Sequence, residues 1–371
     1  MRVVIALVLC VHSCYLGSKV LVSLLGLHLG LTEVSVGILA SLYAAVPLVL
    51  GMYAGRLADT VPIRWPLLGG AICIGIAMLT GFLWQTVPAL FAVAALAGAG
   101  FIFFNVAIQS LTGAVGLPEQ RTRNFSVLSI TYSVSTFTGP TTAGFGIDLV
   151  GFSATFLIFT VLAGVAAALL AFTRRFDHVK PAKKQPESRN TMDLLRMPVL
   201  RRIVMISALI VAAWDLFAFY LPVYAHSKGL SASAVGTILG TFAVAAFLTR
   251  FVLPALTRRW RGESIISFAM IISAIGFSLT PLFTTMYPLM ATAFLIGLGL
   301  GCGQPISMMM SYDRSPPGRT GEVTGLRLTA NNVARVVIPV AAGALGTAVG
   351  IAPVFWMNAL SLAGGSYAAR R

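Results

Sequence analysis

Five charged side chains lie inside long apolar runs of this 371-residue chain: Lys19, Asp215, Arg250, Arg327 and Arg335. A charge near the centre of a bilayer costs about 2.5–3.5 kcal/mol or more, so such groups are paired, bathed in a wet cavity, or functional. The Asp215 carboxylate can take up and release a proton, and the Lys19 ammonium can hold an anionic group. An offset of 199 residues maps Asp215 onto Leu16, one helical turn from Lys19, so the two are expected to face each other. Two readings stay open. Asp215 is the site of a coupling proton with Lys19 contacting an anionic substrate, or the pair is a static bridge. His12 lies in the first apolar run, either as a hydrogen-bonded helix histidine or as a proton relay. Arg250 and Arg335 each precede a helix-bending proline, Pro254 and Pro339, by four residues. With Arg327 they suit either bonding of helix carbonyls and a loop aspartate or an anion site. Ser13, Tyr15, Asn105, Gln109, Trp214, Tyr220, Gln304 and Ser307 add hydroxyls, amides and aromatic rings, a surface suited to a small amphipathic molecule.

Other chemistry is not encoded. There is no His-Glu-x-x-His and no Gly-x-Ser-x-Gly, so we expect no enzyme. Cys10, Cys14, Cys73 and Cys302 lie in apolar runs without metal-ligand spacing and read as packing residues. No metal and no cofactor is expected. Gly297, Gly299, Gly301 and Gly303 follow no strand, so they read as close-packing glycines rather than a nucleotide loop.

The elements that must carry these residues follow from composition. The chain is 57% hydrophobic and 10% charged, whereas a soluble domain carries about 25% charged residues. Twelve apolar runs, about 3–29, 35–55, 66–84, 88–113, 124–147, 152–173, 202–226, 233–255, 264–284, 288–310, 323–349 and 351–369, have spanning length. They should be helices, because lipid offers the backbone no hydrogen-bond partner. The first is too long for a signal-peptide core and has no small-residue cleavage site, so it reads as a retained span. The net charge of +15 collects in the even-numbered connections, the middle loop and the tail, with Lys228 alone on the other side. That asymmetry predicts cytoplasmic termini and basic residues facing anionic lipid headgroups rather than nucleic acid.

The chain also repeats itself. At the same offset of 199, Gly30 falls on Gly229, Val36 on Val235, Gly37 on Gly236, Asn105 on Gln304, Pro140 on Pro339 and Gly144 on Gly343. Two equivalent halves are expected, 1–173 and 202–371, joined by a polar, basic linker at 174–201. Thr191–Leu200 reads as a short interfacial helix at the linker's end.

Gly55-Arg56-Leu57-Ala58-Asp59 followed by Arg64 resembles the signature loop of the major facilitator superfamily, departing from it at Thr60, Pro62 and Ile63. Gly139-Pro140 with Gly144 resembles, in part, that family's antiporter signature. The resemblance implies a 6+6 pseudo-twofold bundle of twelve transmembrane helices, moving small molecules by rocking of the halves. It implies a latch at Gly55, Asp59 and Arg64, although no span-four arginine is present to pair with Asp59; Asp59 otherwise fixes a tight turn. Gly139, Pro140 and Gly144 tilt the expectation toward proton-coupled export, with uptake of an organic anion or sugar as the alternative. We expect a monomer in a bacterial inner membrane, with protons, lipid and a small-molecule substrate as its partners.

Overall fold

A computed structural model describes residues 1–114, 121–173, 192–316 and 320–370. The side chains of Asp59 and Arg121 also lie outside the described residues, as does most of the expected linker. Among the described residues the regular structure is helical, without a strand. In chain order the helices are α1 (Arg2–His28), α2 (Glu33–Thr60), α3 (Arg64–Leu83), α4 (Val87–Ala114), α5 (Arg121–Phe172), α6 (Met192–Arg196), α7 (Pro198–Ser227), α8 (Ala232–Arg259), α9 (Gly262–Leu279), α10 (Met286–Asp313), α11 (Thr320–Val349) and α12 (Ala352–Arg370). A 3-10 turn, Thr280–Leu282, follows α9.

Ten of these helices are long and apolar enough to span a membrane, and the chain is an integral membrane protein. The 52-residue α5 is interrupted by one non-helical residue, Gly151, which separates the two runs expected at 124–147 and 152–173. The last run, α12, is helical as expected but is not among the ten. Its Asn358, Ser361, Gly364, Gly365 and Ser366 dilute the apolar stretch. The short helix expected near 191–200 is α6, whose Leu194 packs with Leu200, Val323 and Leu326.

Among the described residues four glycines have positive φ: Gly30 at 80°, Gly151 at 82°, Gly229 at 74° and Gly350 at 90°. They form two pairs at the 199-residue offset, which extends the repeat from residue type to backbone conformation. Gly30 ends α1 with its N–H donating to Leu27 O, while Leu31 N–H donates to Gly26 O. Gly229 ends α7 in the same way, through Gly229 to His226 O and Leu230 to Ala225 O. This Schellman closure satisfies the last carbonyls of a helix and favours glycine at the left-handed position.

The helices cluster into two compact units. Unit 1 is Met1–Leu31, Leu42–Gln185 and Ser231–Gly240; unit 2 is Thr32–Ser41, Pro186–Leu230 and Thr241–Arg371. Unlike the contiguous halves expected at 1–173 and 202–371, the first turns of α2 group with unit 2 and those of α8 with unit 1. In unit 1 the packing is led by α1 on α5 and by α3 on α4 and α5. In unit 2 it is led by α9 on α10 and α12, and by α7 on α11. The glycine ladder of α10 is close-packed as expected. A Cβ at Gly297 would come within 2.3 Å of Phe242 O, and one at Gly301 within 2.7 Å of Ala246 Cα.

Candidate functional site

Each unit holds its own buried polar cluster. In unit 1, α1 contributes His12, Tyr15, Ser18 and Lys19 along one side. Lys19 is 6% exposed, and its Nζ lies 4.9 Å from the Tyr15 ring centroid and 5.8 Å from that of Tyr43. The π-faces of the two tyrosines thus help to hold a cation that burial would otherwise penalise. The rings are fixed in turn. Tyr43 OH donates to Ser18 Oγ at 2.9 Å, Ser18 Oγ donates to Tyr15 O at 2.8 Å, and Tyr15 stacks on Phe101 at 3.9 Å. His12 packs against Tyr132 with ring centroids 4.7 Å apart, and Tyr132 OH donates to Asn105 Oδ1 at 2.8 Å. Ser13 shares a 2.8 Å hydrogen bond with Thr138. Gln109, one turn beyond Asn105 on α4, is exposed. Sequence reading missed Tyr43 and Phe101, whose aromatic type carries no signal inside an apolar run.

In unit 2 the cluster is a seam between α7 and α11. Lys19 is the partner expected for Asp215; within unit 2 the carboxylate also has Arg335, whose Nε lies 2.8 Å from Asp215 Oδ2. The sequence reading gave Arg335 helix carbonyls and the loop aspartate, whose side chain lies outside the described residues, and did not name this pair. The reason is rotational phase: Arg327, Asn331 and Arg335 are spaced by four along α11, and so share the side that meets α7. Arg327 is 3% exposed; its Nη1 donates to Ser207 Oγ at 3.2 Å, Gln304 Oε1 at 3.3 Å and Ser307 Oγ at 3.3 Å. Ser207 and Asn331 went unmarked in the sequence reading, though their spacing from Asp215 and Arg335 on the same helices could have found them. Arg250 Nε donates to Gly301 O at 3.2 Å and the guanidinium lies 5.8 Å from the Trp214 ring centroid. Carbonyl bonding, expected for Arg250, is therefore seen in α10, away from any helix end.

Tyr220 departs from its expected role. It is fully buried, and its hydroxyl donates to Pro339 O at 2.8 Å. It fastens α7 to α11 and offers no free polar tip.

The residues of the latch and of the antiporter signature separate into four groups. Arg64 donates from Nε to Leu170 O at 2.9 Å and from Nη2 to Ala171 O, tying the start of α3 to the end of α5. A cation there also complements the negative end of the helix dipole. Gly139 and Gly144 are closely packed: a Cβ at Gly139 would meet Ser13 O at 2.7 Å, and one at Gly144 would meet Ala232 O at 2.3 Å. Gly55 is a correction among the described residues: a Cβ there would meet nothing within 4 Å, so none of them makes the close approach expected of that glycine. Asp59, whose side chain lies outside the described residues, keeps only its place near the end of α2.

Among the described residues no group of three or more potential metal ligands converges. The cysteines pack as expected: all four are free thiols, and Cys14 is buried with its Sγ donating to Phe159 O at 3.3 Å. An open crevice lined by Ile271, Ile275, Leu279, Trp356 and Leu360, between α9 and α12, holds no titratable group and suits a lipid chain rather than the chemistry of either cluster.

The family model described as Major Facilitator Superfamily matches residues 7–286 and 229–369. An uncharacterized MFS-type transporter, YfkF, of Bacillus subtilis is 22% identical over 282 residues, covering 72% of this chain and 70% of that protein. An uncharacterized MFS-type transporter, MJ1560, of Methanocaldococcus jannaschii is 21% identical over 346 residues, covering 90% and 87%. The crystal structure of a point mutant of the nucleoside transporter NupG superposes with a TM-score of 0.83 at 14% identity, covering 99% of this chain and 98% of that one. At that identity the likeness is one of fold.

Proposed function

The chain belongs to the major facilitator superfamily, and we propose that this secondary transporter exports small organic molecules in exchange for protons. It works by alternating access as a monomer in a bacterial inner membrane, with both termini cytoplasmic. The observation that carries the reading is the Asp215–Arg335 pair, 2.8 Å apart on two apolar helices, with the carboxylate buried and the guanidinium half-buried. Such an ion pair is costly to desolvate, and removing one charge leaves the other uncompensated. Protonation of Asp215 does this reversibly: the carboxylate becomes a neutral acid and Arg335 loses its counterion. The α7–α11 seam then favours a different packing or a different anion. Proton uptake is thereby linked to a rearrangement in the unit that carries Trp214, Gln304 and Ser307.

The candidate substrate-contacting residues are Lys19, Tyr15, Asn105 and Gln109 in unit 1 and, separately, Trp214, Gln304 and Ser307 in unit 2; His12 is a secondary proton site. Tyr220, fastened to Pro339, is left out. Arg64, Gly139, Pro140, Gly144 and Arg250, with Asp59 at the end of α2, limit which conformations are stable. Uptake of an organic anion or sugar is the second reading, favoured by the buried Lys19 and Arg327.

The test is flux in inverted vesicles under an imposed pH gradient, with candidate solutes screened. Asp215→Asn is expected to abolish gradient-driven flux while solute binding persists. Full pH-dependent flux in that variant refutes the proton role.

A further inference from the structure

The two arginines of the α7–α11 seam are provided for differently. Arg335 has a carboxylate to balance its charge, although its Nε makes no aligned hydrogen bond. Arg327 has, among the described residues, three neutral oxygens, all reached from Nη1 at 3.2–3.3 Å. Its Nε is buried without a hydrogen-bond partner. One turn along the same side of α11, Asn331 is 3% exposed and its Oδ1 is likewise buried without a partner. Ser207 and Ser307, which flank the guanidinium, are each 1% exposed. A positive charge, an unused donor and an unused acceptor are thus enclosed together, where each is costly to leave unmatched.

The unmatched atoms specify what would complete them. A guanidinium presents a planar fork whose Nε edge fits the two oxygens of a carboxylate. Asn331 Oδ1 accepts a hydrogen bond, so the same ligand should carry a hydroxyl or N–H near its acid group. Ser207, Gln304 and Ser307 already hold the opposite side of the guanidinium and fix its plane.

We propose that Arg327 and Asn331 bind the acid end of a small organic acid that carries a neighbouring hydrogen-bond donor, of the hydroxy-acid type. This rests on the transport reading above and names the charged part of the substrate. It also gives Arg327 a direct role in recognition in place of a part in a latch.

The experiment measures thermal unfolding of the full chain in detergent at matched ionic strength. Lactate and mandelate are titrated against sodium chloride and against the neutral amides lactamide and mandelamide. Both acids should raise the unfolding midpoint and neither amide should. Arg327→Gln should weaken apparent affinity by about 30-fold or more, because it removes one partner of an enclosed charge pair. Arg327→Lys keeps the charge, guards against misfolding of the glutamine variant, and should still lose most of the affinity because the fork is gone. Asn331→Leu should erase the preference for mandelate over phenylacetate. Acids no better than chloride in the wild type, or unchanged affinity in Arg327→Lys, overturn the proposal. Gradient-driven flux of neutral or cationic solutes without acid binding also overturns it, while leaving the transport reading intact. Acid binding through Arg327 without any gradient-driven flux supports it and defeats the proton-coupled reading instead.

Discussion

Two helix contacts related by the sequence repeat are fastened by different means. In unit 1 the first turns of α8 lie against α5. A Cβ at Gly144 would come within 2.3 Å of Ala232 O, and one at Gly236 within 2.9 Å of Pro140 O. In unit 2 the first turns of α2 lie against α11, with a Cβ at Gly37 reaching 2.6 Å from Pro339 O and one at Gly343 reaching 2.9 Å from Glu33 O. The backbone approach is the same, since each of these glycines and prolines has its counterpart 199 positions away. The polar fastening is not. At the α5–α8 contact, the exposed Asp148 carboxylate accepts from Ala232 N at 3.1 Å and Ser233 N at 2.7 Å, capping the start of α8 from another helix. Its counterpart, Thr347, only bonds back to Gly343 O within its own helix. At the α2–α11 contact, Ser41 Oγ reaches Val336 O at 2.7 Å, beside the Tyr220 hydroxyl by which α7 is tied to Pro339 O. One contact is held by a charge facing water and the other by neutral groups in the interior. The steric requirement repeats in the two halves, and the polar fastening does not.

The largest effect expected is steric. Gly144→Val places side-chain carbons where backbone already sits, and backbone cannot yield as a flexible side chain can. We expect a loss of about 3 kcal/mol or more at that contact, read as a lower thermal midpoint in detergent. A cysteine at Ala232, in a cysteine-free background, should also become reactive to an impermeant maleimide. The matching change Gly343→Val should behave alike in unit 2. A harmless outcome in one but not the other would break the comparison at its shared step.

A smaller effect should separate the two contacts. Asp148→Ala removes the cap on α8 and should cost about 1 kcal/mol, limited by the exposure of the carboxylate. Thr347→Ala should change stability by less than about 0.5 kcal/mol. The Asp148 contribution should fade toward 1 M salt, where the screening length falls to about 3 Å. Equal losses in the two variants, or a loss at Asp148 indifferent to salt, would contradict the charged-against-neutral distinction.

Much of this was legible in the sequence, for a physical reason. Lipid forces helices, so the lengths of the apolar runs located the spans, and the repeat offset that paired Gly30 with Gly229 also paired their left-handed backbones. The Gly151 break fell between the fifth and sixth apolar runs, as length required. Side-chain partners were harder to read. The Asp215–Arg335 pair depends on the rotational phase of α7 against α11, which an offset along the chain does not give. Gly55 was read as a packing glycine from its loop motif, yet a Cβ there would meet nothing among the described residues. Asp148 carried no motif at all, because a cap supplied from a different helix leaves no local signature.

If the proposed alternating access operates, these contacts must open and close rather than stay shut. The most direct test is a spin-label distance measurement between Val150, at the break in α5, and Ser231, just before α8, in lipid nanodiscs. The account predicts two populations in the wild type, a short distance and a longer one, with the longer one gaining share in Asp148→Ala. One short distance, identical in both proteins, would contradict it.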